Sequence, residues 1–334
     1  NTHHWTLDSR YSFIGRTGLY NLGNTCYLNT LLQCLNGCNN LKQELFAKKE
    51  EDISPFDKEL RKILALMTYS RAPSISCREL AMMIPEFDPT LQCDIAEVFI
   101  NQFVTALGKD EALSFLGKKV RIVLKQTFRD KDDVVKTKIE EANHISLPMG
   151  GLTNLTAAFD EFFKTKVIEG YDADSDGSKS QLETTTEIEE WPEYLVIQLQ
   201  RFEYNSMLME KFKLTHGFEF PVVLTGYGDK TYALSAIAVH RGDTETGHYV
   251  AIINDSGNEW YTCNDTKVEY FDPANVPSWS FGQMDNQVVA LSDTIYTAYM
   301  LFYQDVSLVP LEPRIPPDLQ ELIASSNPQM WPSL

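Results

Sequence analysis

Gly18-Leu-Tyr-Asn-Leu-Gly-Asn-Thr-Cys-Tyr-Leu-Asn29 sets a cysteine behind a glycine- and amide-rich loop and ahead of an apolar, periodic segment. From Thr25 to about Gly37, Leu28, Leu31, Leu32 and Leu35 recur at i, i+3, i+4 and i+7. That spacing predicts an amphipathic helix, with Gly37 as its stop. Cys26 then lies at the helix start, where unpaired N–H groups and the helix dipole favour a thiolate, the reactive form. Gly18 and Gly23 let the loop fold tightly, and Asn21 and Asn24 bring amide donors beside the sulfur. A cysteine nucleophile also needs a base, a group that orients the base, and donors for an oxyanion.

Candidates for those roles lie far downstream, in Val239-His-Arg-Gly-Asp-Thr-Glu-Thr-Gly-His-Tyr-Val-Ala251 and Trp260-Tyr-Thr-Cys-Asn-Asp-Thr-Lys-Val268. His248 follows Gly247 at the start of an apolar strand, placed to project an imidazole into a cleft. One short hairpin later, Asn264 and Asp265 return to fix its tautomer. The order Cys, His, Asn/Asp suits a cysteine hydrolase, though the pattern does not belong to that class alone.

Around these segments the texture of the chain changes once. Helical patterns run through 57–69, 78–84 and 93–106, so the first third is read as mostly helical. After about residue 118, Val120–Phe128, Tyr194–Phe202, Tyr232–Val239, His248–Asn254 and Thr297–Tyr303 are rich in β-branched and aromatic residues, separated by Gly, Asp and Asn turns. A helical front and a strand-rich back predict an α+β fold with a cleft between the parts. Residues 309–334 hold six of the 15 prolines around one helical candidate, Asp318–Ser325, and read as a tail packed on the surface or on a partner.

Composition narrows the function classes. The 334 residues are 43% hydrophobic and 23% charged, ordinary for a globular protein. The net charge of −18, from 47 acids against 29 bases, argues against nucleic acid or an anionic membrane as partner. No run approaches the roughly 20 apolar residues of a membrane helix. Asn1-Thr-His-His-Trp5 lacks the basic and apolar regions of a signal peptide. Cys26, Cys34, Cys38, Cys77, Cys93 and Cys263 form no Cys-x-x-Cys pair and are too sparse for a disulfide scaffold. Reduced thiols in the cytoplasm or nucleus are the expectation.

Gly18–Asn29 resembles the cysteine box of the ubiquitin-specific proteases nearly position for position, and Tyr232–Val268 resembles their histidine box. Leu199-Gln-Arg-Phe202, Phe218-Glu-Phe-Pro221 and Ala298-Tyr-Met-Leu-Phe-Tyr303 match further signatures, so the likeness spans about residues 15–305 in order. It implies a papain-like, hand-shaped fold: a helical thumb (about 18–117), β-hairpin fingers (about 118–192) and a β-rich palm (about 193–305). Residues 1–17 form a lead-in and 306–334 the proline-rich tail. The implied activity is hydrolysis after the C-terminal glycine of ubiquitin, or of a ubiquitin-like protein, on modified target proteins, with no cofactor. Cys26 would be the nucleophile and His248 the general base, later the general acid. Asn264 would orient His248 with Asp265 in support, and Asn21 would stabilise the oxyanion.

The family's acidic patch for the substrate tail falls on Gln92-Cys-Asp-Ile-Ala-Glu97. Asp94 and Glu97, three apart, are predicted on one helix face, where paired carboxylates would clamp arginines of an extended tail. The alternative is a capped, solvated helix turn. The family usually has Gln where Cys93 stands, and Cys93 is a poor rival nucleophile because no glycine- and amide-rich loop precedes it. Tyr249, Gly242 and Gly247 would line a slot that only a Gly-Gly tail passes easily. His216 is expected near substrate; Trp191, Phe202, Phe218 and Phe220 in the palm core; His3, His4 and His144 on the surface.

Two departures bear on metals. Residues 118–190 contain no cysteine, so the thiolate zinc site of many fingers cannot form. Asp172-Ala-Asp-Ser-Asp-Gly-Ser-Lys-Ser-Gln-Leu-Glu183 matches the ligand spacing of an EF-hand calcium loop. Against calcium, Lys179 stands at a usually aliphatic position and Leu182–Glu190 reads as a strand, so an exposed acidic turn is preferred. Two rival functions are a catalytically silent ubiquitin-binding scaffold and the same chemistry on another Gly-Gly modifier.

Overall fold

Helix α1 (Cys26–Gly37) is buried along all twelve of its residues. A leucine stripe alone would leave its other face in water; here that face meets polar partners instead. Gln33 donates to the carbonyl of Thr17 at 3.0 Å, and Asn36 accepts from Lys42 and Thr68. The computed structural model describes residues 16–104, 115–130, 135–172, 179–207, 209–243, 246–255, 259–283 and 295–327.

The helical part adds α2 (Asn39–Ala47), α3 (Pro55–Tyr69), α4 (Arg78–Ala81), α5 (Ile95–Val98) and α6 (Phe115–Lys119). Ser54 caps α3 by accepting from the Asp57 N–H at 3.0 Å, with Pro55 in the first turn. The predicted helix over 93–106 starts at Ile95 and continues as a wider π-turn through Phe99–Val104. Strand β1 (Gly18–Leu19) runs parallel to β2 (Ser74–Ile75) and ties the entry of α1 to the segment after α3.

A four-stranded sheet follows, made of β3 (Ile122–Asp130) and β4 (Val135–Ala142), with β6 (Lys166–Asp172) and β7 (Lys179–Glu190). Its order is β4-β3-β7-β6. Between the two hairpins, β5 (Ile145–Leu147) and α7 (Leu155–Phe163) leave this sheet: β5 pairs in parallel with β8 (Tyr194–Leu199). Residues 145–163 thus join the larger sheet, although the sequence places them within the fingers. The core of the calcium-like loop, residues 173–178, lies outside the described residues.

After β8 come β9 (Phe202–Asn205) and β10 (Glu210–Lys213), a separate hairpin. The larger sheet has the order β15-β14-β13-β12-β16-β8-β5. It contains β12 (Lys230–Gly242), with β11 (Val223–Tyr227) paired on it, then β13 (Gly247–Asn254), β14 (Trp260–Asn264), β15 (Lys267–Phe271) and β16 (Tyr296–Asp305). Side chains alternate across it. Ala236 and Ala238 of β12 and Ala251 of β13 face the core that contains α1, small enough for close approach. Ile237, Val239, Val250 and Ile252 face a second core with α7.

The predicted strand Tyr194–Phe202 breaks before Arg201, which is fully buried. Its guanidinium donates to the carbonyls of Leu214, His216, Ala298 and Phe281, satisfying the charge with dipoles. Helix α8 (Val276–Ser280) precedes β16. Beyond β16 the chain returns over the helices to α9 (Gln320–Ser326), with Asp318 on Arg61 and Leu311 and Arg314 on Asn40 and Gln43.

Candidate active site

The loop before α1 is folded around the Asn21 side chain. Asn21 Oδ1 accepts from the Gly23 N–H at 3.0 Å, the Thr25 N–H at 3.1 Å and the Thr25 hydroxyl at 3.2 Å. Thr25 Oγ1 in turn accepts from the Leu22 N–H at 2.9 Å. An amide oxygen gathering three donors fixes the turn that delivers Cys26 to the first position of α1, where helical N–H groups have no intrahelical acceptor. At Gly18 a Cβ would lie 2.4 Å from the Thr266 carbonyl oxygen, so only glycine lets this strand lie against the β14–β15 turn. The Leu19 N–H donates to the Asp265 carbonyl at 2.8 Å in the same place. Segments almost 250 residues apart in sequence are locked together at the nucleophile.

His248 enters on β13, opposite Arg241 of β12, and the β13–β14 pairing carries Asn264 back beside it. The His248 Nε2 to Asn264 Oδ1 distance is 2.7 Å. An amide oxygen only accepts, so Nε2 carries the proton and Nδ1 is the atom left for Cys26. The hydrogen bond with Cys26 is the main cause that lifts the His248 pKa to about 9, against the opposing effect of burial and with help from Asn264. The imidazolium is therefore favoured beside the sulfur.

Asp265 takes a different part from the one expected of it. No hydrogen bond joins it to Asn264 or His248 among the described residues; it acts on His248 only through its charge. Its carboxylate instead accepts from Asn21 Nδ2 at 3.1 Å and from Asn29 Nδ2 at 2.8 Å. It thereby holds the Asn21 amide and the first turn of α1 to the hairpin that carries Asn264. Asn21 keeps a second amide proton for an oxyanion.

Beside the Cys–His pair is a cavity of about 230 Å³ lined by Gln92, Cys93, Asp94, Phe202, Gly247 and Tyr249, among others. Asp94 is not on a helix face with Glu97, as the spacing predicts, but at the N-cap of α5. Its Oδ1 accepts from the Ala96 N–H at 2.7 Å and the Glu97 N–H at 3.3 Å, and Oδ2 accepts from the Tyr299 hydroxyl at 2.5 Å. Capping wins because the carboxylate satisfies orphan N–H groups it would otherwise leave bare. Glu97 is exposed and Tyr249 is buried against the His240 ring, 4.7 Å between centroids. Gly247 abuts the same ring: a Cβ there would lie 2.1 Å from His240 Nε2. His216 is bound to the Leu152 carbonyl at 2.8 Å, and His144 is half-buried, not on the surface. His3 and His4 lie outside the described residues.

The sequence matches the model of the ubiquitin carboxyl-terminal hydrolase family over residues 17–303. The chain belongs to that family. Its α+β architecture is the papain-like hand of the ubiquitin carboxyl-terminal hydrolases. It is similar to ubiquitin carboxyl-terminal hydrolase 26 of Oryza sativa subsp. japonica, 26% identical over 289 residues that cover 79% of this chain and 26% of that protein. It is also similar to ubiquitin carboxyl-terminal hydrolase 48 of Danio rerio, 29% identical over 284 residues, 75% of this chain and 27% of the relative. Ubiquitin carboxyl-terminal hydrolase 5 of Schizosaccharomyces pombe is 28% identical over 284 residues, 76% and 25% of the two chains. The chain spans about a quarter of the length of these relatives.

In this member of the hydrolase family three contacts of the site escape a reading of the sequence. Gln92 reaches across the cavity and donates to the Gly247 carbonyl at 2.9 Å. Tyr299 reaches Asp94 because β16 bulges there: Ala238 pairs with Met300 and Val239 with Ala298, leaving Tyr299 as the extra residue. Cys93 is hydrogen-bonded to Tyr27, whose pKa is raised first by burial and then by that bond. A bulge and two long-range contacts leave no periodic signal. Among the described residues no three His, Cys, Asp or Glu converge as metal ligands do.

Proposed function

We propose that this chain is a thiol-dependent ubiquitinyl hydrolase, cutting the isopeptide or peptide bond after the C-terminal glycine of ubiquitin on modified target proteins. The observation that carries the reading is the alignment of Cys26, His248 and Asn264 beside a cavity too crowded at Gly247 for any side chain. In this reading the Cys26 thiolate attacks the glycine carbonyl, and N–H groups of the first turn of α1, with Asn21, receive the oxyanion. His248 Nδ1–H protonates the leaving amine, and a thioester forms. His248 then deprotonates a water that hydrolyses the thioester and frees the ubiquitin carboxylate. Asn264 holds the imidazole in the tautomer that both steps need.

The tail would run between a thumb and a palm, the latter taking in residues 145–163 with 193–305. Asp94 supports the channel wall in this reading more than it clamps an arginine, since both its oxygens are engaged. The reduced thiols suit the cytoplasm or nucleus.

Ubiquitin bearing a C-terminal electrophile tests the proposal, beside Cys26→Ala and the same probe built on other Gly-Gly modifiers. A ubiquitin adduct lost in Cys26→Ala is expected. Adduct only with another modifier would move the specificity, and no adduct with any would leave a silent scaffold.

A further inference from the structure

Hairpin β9–β10 meets the strand that bears His240 through two side chains, Phe202 and Lys213. The Phe202 ring stands edge-on to the His240 ring, 5.5 Å between centroids. Across the hairpin from Phe202 is Lys213, whose Nζ donates to the His240 carbonyl at 3.2 Å and to the Gly242 carbonyl at 2.9 Å. These two carbonyls flank Arg241, the residue that pairs with His248 in the β12–β13 ladder, and Gly242 pairs with Gly247. One ammonium therefore grips the strand directly opposite the imidazole.

The setting fits a clamp and not a surface charge. Lys213 is half-buried, and burial, then the nearby Arg201 guanidinium, brings its pKa down to about 7. Asp243 is the carboxylate that acts in the other direction. His240 is held neutral by burial and by Lys213, its pKa about 3, with Nδ1 buried and, among the described residues, without a hydrogen-bond partner. A cation kept where the fold disfavours it points to work done on the groups it holds.

We propose that Lys213 is a positioning residue for the reaction: its two hydrogen bonds fix the β12 backbone so that His248 stays aligned with Cys26 and Asn264. The proposal rests on the hydrolase reading but makes a claim about His248 that needs no ubiquitin. The groups that face His248 are Cys26 on α1, Asp265 in the β14–β15 turn and His240 on β12. Electrostatics and positioning then predict different outcomes. Lys213 is mostly uncharged where His248 titrates, so losing its charge leaves the His248 pKa unchanged or raised, whereas slackening the contact with Cys26 lowers it toward the ordinary imidazole value of about 6.5.

The test is Lys213→Met, with His248 titrated by NMR in histidine-labelled protein and rates on a fluorogenic ubiquitin conjugate referred to active sites counted with the ubiquitin electrophile. The expected result is a His248 pKa lower by about one unit or more, with kcat reduced about tenfold or more and KM little changed. Lys213→Arg, which keeps the donors, is expected to restore most of both. Lys213→Gln replaces Lys213→Met if the latter fails to fold in a thermal melt. An unchanged or raised His248 pKa would overturn the proposal, even with a lowered melting temperature. If wild-type protein forms no ubiquitin adduct, the hydrolase reading fails, while the NMR titration still decides the clamp.

Discussion

The His248 imidazole is shared between Asn264 Oδ1, 2.7 Å from Nε2, and the Cys26 sulfur, its hydrogen-bond partner on the other side. A neutral amide adds no charge to stabilise the imidazolium, so the sulfur contact is the larger of the two effects on its pKa. The folded-state pKa of about 9 lies above the ordinary value of about 6.5. Any stability from this contact is therefore complete below about pH 6.5 and lost as pH rises through about 9. Activity is expected to follow the same limb: kcat/KM on a fluorogenic ubiquitin conjugate should hold to about pH 8 and fall near 9. Cys26→Ala should return His248 toward about 6.5 by NMR. An upper limb near 7 in the wild type would show that the imidazole is not held against the sulfur.

Asp265 joins Asn21 to Asn29, so its removal should act chiefly on the oxyanion side, with His248 losing only the small lift of a nearby charge. Asp265→Ala is expected to lower kcat by about 10²-fold, the scale of a lost oxyanion donor. It should also destabilise by about 1–3 kcal/mol, as two amides lose a charged acceptor. Urea unfolding and steady-state kinetics check both. A normal kcat, with the change confined to the His248 titration, would mean that Asp265 serves the imidazole and not the oxyanion side.

The parts of this molecule that repeat locally are the parts its sequence made legible. The leucine spacing of α1 and the β-branched runs of β12, β13 and β16 follow from side-chain periodicity, which survives in any context. Cys26, His248 and Asn264 were readable because glycine, amide and strand signals surround them. What periodicity could not carry was the use of polar faces. Asn29, Gln33 and Asn36 look like a solvated helix side but are buried on partners up to 236 residues away. The same holds for Asp94, whose three-residue spacing to Glu97 suggests a shared face until Tyr299 and the helix N–H groups compete for its carboxylate. Lys213 and Tyr299 act through a hairpin contact and a bulge, neither of which has a one-dimensional signature.

Gly247 has no room for even one carbon, since the His240 ring is packed between Phe202 and Tyr249 and cannot retreat. Gly247→Ala should therefore push the β12–β13 turn outward and carry His248 with it. A displacement near 1 Å at the reacting groups is worth about 10²-fold in rate. Gly150→Ala, at a site where a Cβ meets only the end of the Glu203 side chain, 3.2 Å away, is the comparison for a mutation of the same size. Kinetics on both variants, with electrophile titration of active sites, check this. Wild-type activity in Gly247→Ala would mean that the turn yields freely and does not set the histidine.

Arg61 lies beneath the C-terminal segment with its side chain 5% exposed, and its guanidinium is bidentate to Asp318 at 2.5 and 2.8 Å. The Phe46 carbonyl takes one further bond at 3.2 Å, and among the described residues Nε has no partner. Asp318→Ala would strand most of that buried cation, which is costlier than losing an exposed pair. A loss of about 3 kcal/mol in urea unfolding is expected, together with faster proteolysis across residues 310–320. The Asp318 carboxyl is held below its ordinary pKa chiefly by the bond to Arg61. Its contribution is therefore present above about pH 4 and lost as the pH falls through that lowered value. The gap between wild type and variant should be level from pH 5 to 8 and close only in acid. A gap that vanished at neutral pH would mean that the segment is held by its apolar contacts alone, with Arg61 satisfied by water.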